Sequence, residues 1–140
     1  MTNRFVTTIL LLAAVLSPGP AALAQTVRPD DARALAQAGP SRVAVTLGGQ
    51  GVIGLVEGRV GRAPAFSVPV VDTNGAGDVF HGAVAFGELR DWPFEWILVF
   101  ANAVAAMKCR ALGGRRGIPR LPDVRDFLVT HGRSDLAAAL

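Results

Sequence analysis

The chain has 140 residues, a formal net charge of +3, 51% hydrophobic residues and 18% charged residues. That composition excludes a disordered or low-complexity chain, and the length suits one domain rather than two. A single cysteine, Cys109, excludes an internal disulfide framework and a Cys-rich zinc site. The fourteen basic residues, all but one of them arginine, are scattered among eleven acids, and no basic run points to nucleic acid.

Residues 1–24 hold one charge, Arg4, then an apolar run over 5–16 and a Ser17-Pro18-Gly19-Pro20 breaker. Ala22-Leu23-Ala24 follows, so the layout is that of a secretory signal with Gln25 as the first residue after cleavage. The alternatives are an ordinary buried helix or a mis-set start codon. The run is shorter than the about 20 residues of a transmembrane helix, so no stable membrane span is expected.

Residues 25–39 read as a linker and a short helix over 30–38, with acids in its first turn and Gly39-Pro40 at its end. The β-branched stretch 42–47 predicts a buried strand. Residues 52–56 and 59 onward predict a hairpin around a tight Glu57-Gly58 turn. Residues 65–71 read as a further extended run, an edge or strand end because of Pro69. From 77 to 89 the apolar spacing changes to helical. Pro93 opens a second helix over 94–112, apolar nearly all round and ended by Gly113-Gly114. A short helix over 122–129 and a weak helical tail over 133–140 complete the chain. Strands followed by paired helices predict an α/β layer structure.

The segment Asp72-Thr73-Asn74-Gly75-Ala76-Gly77-Asp78 lies between an extended run and a buried helix. Small residues at 75–77 let the backbone approach a ligand, and their N–H groups are the unpaired donors of a helix N-terminus. A carboxylate at 78 beside such donors can accept a proton while the N–H groups stabilise a transferring phosphoryl. A plain N-cap, with Asp78 well placed in the helix dipole, reads the same residues without chemistry.

The run DTNGAGDVFHGA resembles the C-terminal signature of the PfkB (ribokinase-like) carbohydrate kinases, DTxGAGDxF. Three further elements stand in the family's order. Val45-Thr46-Leu47-Gly48-Gly49-Gln50-Gly51 resembles its strand and turn near the nucleotide phosphates. Phe100-Ala101-Asn102-Ala103 resembles the helix that flanks adenine, and Gly113-Gly114-Arg115-Arg116-Gly117-Ile118-Pro119 the closing loop.

The resemblance implies an α/β fold, the incomplete C-terminal portion of a ribokinase-like three-layer αβα architecture. Its nucleotide-binding and catalytic segment would be 40–130, with 131–140 a tail. Asp78 would be the general base for a sugar hydroxyl, and Gly75, Ala76 and Gly77 the anion hole. Thr46, Gly48 and Gly51 would lie beside ATP and Asn102 beside its base. Asp72 and Asn74 would help hold a monovalent cation, K+, with backbone groups of 113–117. Mg2+ would arrive with the nucleotide. The implied partners are a sugar and ATP, and a second copy in a homodimer. The family's N-terminal part, with its sugar contacts, lid and N-x-x-E segment, has no counterpart in this sequence. Two functions therefore stand side by side: a truncated cytoplasmic sugar kinase, or a non-catalytic, exported remnant of one.

Gly49-Gln50-Gly51-Val52-Ile53-Gly54 matches the dinucleotide-binding G-x-G-x-x-G, but the strand-like residues after it argue against that use. No Walker-type phosphate loop is present. His81, Trp92, Trp96 and Cys109 read as packing residues, and Arg115 and Arg116 as loop arginines within reach of phosphate.

Overall fold

The computed structural model describes residues 8–12, 29–37 and 39–140. In chain order its elements are β1 (Thr8–Leu12), α1 (Pro29–Gln37), β2 (Arg42–Thr46), a 3-10 turn (Gly48–Gln50), β3 (Val52–Val56) and β4 (Arg59–Ala63). Then come α2 (Ala76–Leu89), α3 (Phe94–Lys108), α4 (Leu121–Thr130) and α5 (Ser134–Ala137).

The four strands form one sheet in the order β1-β2-β3-β4. β1 runs parallel to β2, whereas β2–β3 and β3–β4 are antiparallel. The hairpin turn falls at Glu57 and Gly58, both at positive φ (50° and 76°), as a two-residue turn matched to strand twist requires. Side chains alternate across the sheet. Val43, Val45, Ile53 and Leu55 bury one face against Ala32, Leu35 and Ala36 of α1. Ala44, Val52 and Ala63 join the larger core beneath α2 and α3 on the other face. Helices on both faces make the three layers expected from the sequence.

Two close approaches seat the helices. Gly54 admits α3 against β3, since a Cβ there would lie 3.2 Å from Phe94 Cε1 and collide with Leu98. Gly87 admits Ile97, whose Cγ1 would be 2.7 Å from an added Cβ. Phe86 stacks on Phe100 at 5.5 Å, and Trp92 closes the α2–α3 corner edge-on to both rings. Arg42 of β2 pairs with Glu88 of α2 at 2.6 Å.

The structure adds to one expectation and changes two. The apolar run read as signal-like supplies β1 through residues 8–12, paired with β2; Ala22-Leu23-Ala24 lies outside the described residues. Residues 65–71 pair with no described strand, because Pro64 and Pro69 lack donors and the segment is held by single contacts instead. Phe66 and Val68 reach the core while Val70 and Val71 stay exposed. Finally, α3 ends at Lys108 rather than at 112. In a continued helix the Gly113 N–H would bond to the Cys109 carbonyl. That carbonyl instead accepts from Val71 N at 2.8 Å and Asp72 N at 3.1 Å, and Gly113 N donates to Asp72 Oδ2 at 2.7 Å.

The two glycines of α2 that face different surroundings should respond oppositely to alanine. Gly87→Ala should destabilise by about 1–3 kcal/mol through overpacking against Ile97. Gly82→Ala, with nothing within 4 Å of the new methyl, should stabilise by up to about 1 kcal/mol. Urea midpoints compared with wild type read both signs, and a stabilised Gly87→Ala would contradict the packing described.

Candidate active site

The loop entering α2 is organised by one carboxylate. Asp72 Oδ1 accepts the Asn74 N–H at 2.9 Å, a turn closed by a side chain, and Oδ2 accepts the Gly113 N–H at 2.7 Å. The Asp72 carbonyl accepts from Lys108 Nζ at 2.9 Å. The Asn74 and Gly113 N–H groups hold the Asp72 carboxyl below its ordinary value of 3.8; the nearby Lys108 adds to this and partial burial opposes it.

Gly75 then turns the chain into α2 with φ 77°, and a Cβ there would lie 3.2 Å from the Gly114 carbonyl. Only glycine satisfies both the left-handed backbone and the contact with the 113–114 loop. The Ala76 N–H is spent on the Thr73 carbonyl at 3.1 Å. The N–H groups of Gly75, Gly77 and Asp78 have no protein acceptor among the described residues. The donors open to an anion are thus shifted from the expected 75–77 set to Gly75, Gly77 and Asp78.

Asp78 is exposed in the first turn of α2 and lines a cleft of about 640 Å³. Asn74, Gly75 and Val79 share that lining, α2 and α3 supply its apolar wall with Phe86 and Phe100, and Gly114 and Arg115 come from the loop after α3. The Asp78 carboxylate, Arg115, and Gly75 and Asp78 with N–H groups that have no acceptor among the described residues therefore line one largely apolar cleft, while Gly77 is not part of its lining.

The other expected residues gather elsewhere. Thr46, Gly48, Gly51 and Asn102 do not line this cleft. Gly51, at φ 94°, faces the chain leaving β4, where an added Cβ would be 2.7 Å from Ala65 N. Asn102 donates its amide hydrogens to the Ala63 and Pro64 carbonyls at 3.0 and 3.1 Å. Both residues thus meet the same 63–65 segment. The Thr46 hydroxyl is buried with no hydrogen-bond partner among the described residues. Residues after Gly51 form β3 rather than a helix, which removes the dinucleotide-binding reading.

Among the described residues no group of three His, Cys, Asp or Glu side chains could hold a metal ion. Nucleotide-borne Mg2+, bound through phosphate oxygens and water, needs no such cluster. The monovalent cation fits less well. All three Asp72 oxygens already accept protein hydrogen bonds, one of them from an ammonium. Lys108 is the residue that sequence reading missed; its signal was a lone lysine ending an apolar helix. His81 does not line the cleft, and its Nε2 is buried without a partner among the described residues. No helix among the described residues is long and apolar enough to cross a membrane.

Residues 21–121 match the family model described as pfkB family carbohydrate kinase. The ribokinase of Lactococcus lactis is 35% identical over 85 residues, covering 61% of this chain and 28% of that protein. The crystal structure of ribokinase from Thermotoga maritima superposes with a TM-score of 0.68 at 34% identity, over 71% of this chain and 34% of that one. Arabidopsis thaliana ribokinase complexed with ribose and ATP gives a TM-score of 0.64 at 30% identity, over 69% of this chain and 32% of that one. The chain thus spans under a third of the length of the curated relative at 28% coverage.

The Asp72 bonds make loop stability depend on pH. Because the folded carboxyl titrates below the unfolded one, its stabilisation is complete above the ordinary carboxylate value of 3.8 and fades as pH falls through the lowered folded value. Melting of wild type and Asp72→Asn should therefore differ most at neutral pH and converge under acid. A gap that stays constant across that range would remove Asp72 from this role.

Proposed function

The chain belongs to the pfkB family of carbohydrate kinases, and on that premise we propose that it carries the catalytic segment of an ATP-dependent sugar kinase. The observation that carries the reading is Asp78, exposed at the start of α2 beside N–H groups that have no acceptor among the described residues, on a cleft also lined by Arg115.

The reaction follows from that arrangement. A sugar hydroxyl attacks the γ-phosphorus of ATP, its proton passes to the Asp78 carboxylate, and ADP leaves with the bridging oxygen's electrons. The Gly75, Gly77 and Asp78 N–H groups meet the charge spread over the transferring phosphoryl, where fixed donors cost no reorganisation. Mg2+ carried by the nucleotide supplies neutralisation of phosphate charge. Arg115 adds a planar, permanently charged donor suited to phosphate oxygens.

Thr46, Gly48 and Gly51 form the nucleotide-side turn in this reading. Asn102 serves it by holding the 63–65 segment against that turn. Ribose is the sugar to test first, since ribokinases are among the relatives this chain resembles, at 35% and 34% identity. An ATP-consuming enzyme works where ATP is, which places this activity in the cytoplasm.

Asp78→Ala tests the assignment. Ribose phosphorylation by the full chain should fall by about 10²–10⁴-fold, while MgATP affinity changes little. Unchanged turnover in the variant would take the base role from Asp78.

A further inference from the structure

Lys108 is the only lysine of the chain and, among the described residues, its only buried cation, with 0% of its surface exposed. Its Nζ donates to the Asp72 carbonyl, and its main chain lies under Gly117, where an added Cβ would come within 3.0 Å of Lys108 Cα. The 72–75 turn, the end of α3 and the 113–117 loop thus converge on this residue.

Negative potential concentrates at that corner. The Asp72 carboxylate and carbonyl, the Cys109 carbonyl and the C-terminal end of the α3 dipole all meet there, directly behind the turn that presents Gly75 and Asp78. Burying a charge is costly unless its neighbours compensate it, and the neighbours here are the Asp72 carbonyl and the nearby Asp72 carboxylate. An ammonium is a compact point charge on a flexible stem, whereas guanidinium is a broad planar fork. A chain that uses arginine at every other basic position places lysine at the one point where a compact cation fits.

We propose that the Lys108 ammonium serves as a tethered replacement for a free monovalent cation between the 72–75 and 113–117 loops. Lys108 is then a positioning residue, fixing the turn from which Gly75 and Asp78 line the cleft, and the site works without K+. This rests on the kinase reading for its purpose, but its test does not require turnover.

Melting of the full chain in potassium chloride and in tetramethylammonium chloride of equal ionic strength decides it. Wild type should melt within about 1 °C in the two salts. Lys108→Met should melt lower in tetramethylammonium and regain most of that loss in K+, a rescue that simple loss of packing would not show. A Lys108→Met protein indifferent to K+ would overturn the proposal. Should that variant fold in neither salt, MgATP affinity of wild type replaces it. Affinities equal within about twofold uphold the proposal, and tightening by K+ of about tenfold or more overturns it. Failure of MgATP to bind in either salt would count against the kinase reading and leave the wild-type melting comparison as the test of Lys108.

Discussion

An exchange of hydrogen bonds at the end of α3 governs the rest of the site. The Cys109 carbonyl gives up its helical donor, the Gly113 N–H, and takes Val71 and Asp72 N–H instead. Gly113 is recovered by the Asp72 carboxylate, and Lys108 closes the circuit on the Asp72 carbonyl. One aspartate therefore stops a helix, starts a turn and anchors a loop 41 residues away. No backbone group of the exchange is left without a partner, as a buried helix end requires.

From that corner the proposed chemistry follows by short steps. The turn closed on Asp72 delivers Gly75 in a left-handed conformation against Gly114, and that conformation starts α2. The first turn of α2 then exposes Asp78 and leaves N–H groups facing outward. Behind it, Gly87 and the Phe86–Trp92–Phe100 cluster pack α2 closely against α3, and the donors and the carboxylate share the first turn of α2. Fixed dipoles of this kind stabilise a phosphoryl transition state without rearranging during reaction.

Much of this was legible in the residues. The β-branched run at 42–46, the Glu57-Gly58 turn and the change of period after residue 76 carry their own local signals, and the structure has a strand, a hairpin and a helix there. The motif around Asp78 was legible because small residues and a carboxylate at a helix start are a local pattern. What was hidden is long-range. The helical signal of 94–112 continues past Lys108, but there the chain tightens into i to i−3 bonds and the Cys109 carbonyl takes Val71 and Asp72 N–H. Ala76 looked like a free donor until Thr73 folded back on it. The strand made by residues 8–12 depends on a partner, β2, distant in sequence, so the apolar run alone does not announce it. Lys108 was invisible for the same reason: its meaning comes from Asp72, not from its neighbours in α3.

The proposed function rests on a phosphate-binding, catalytic corner built around Asp72 and Asp78. Calorimetric titration of the purified chain with MgATP tests it most directly. Saturable binding at one nucleotide per chain is the expected result. Absence of binding by a chain that melts cooperatively would contradict it.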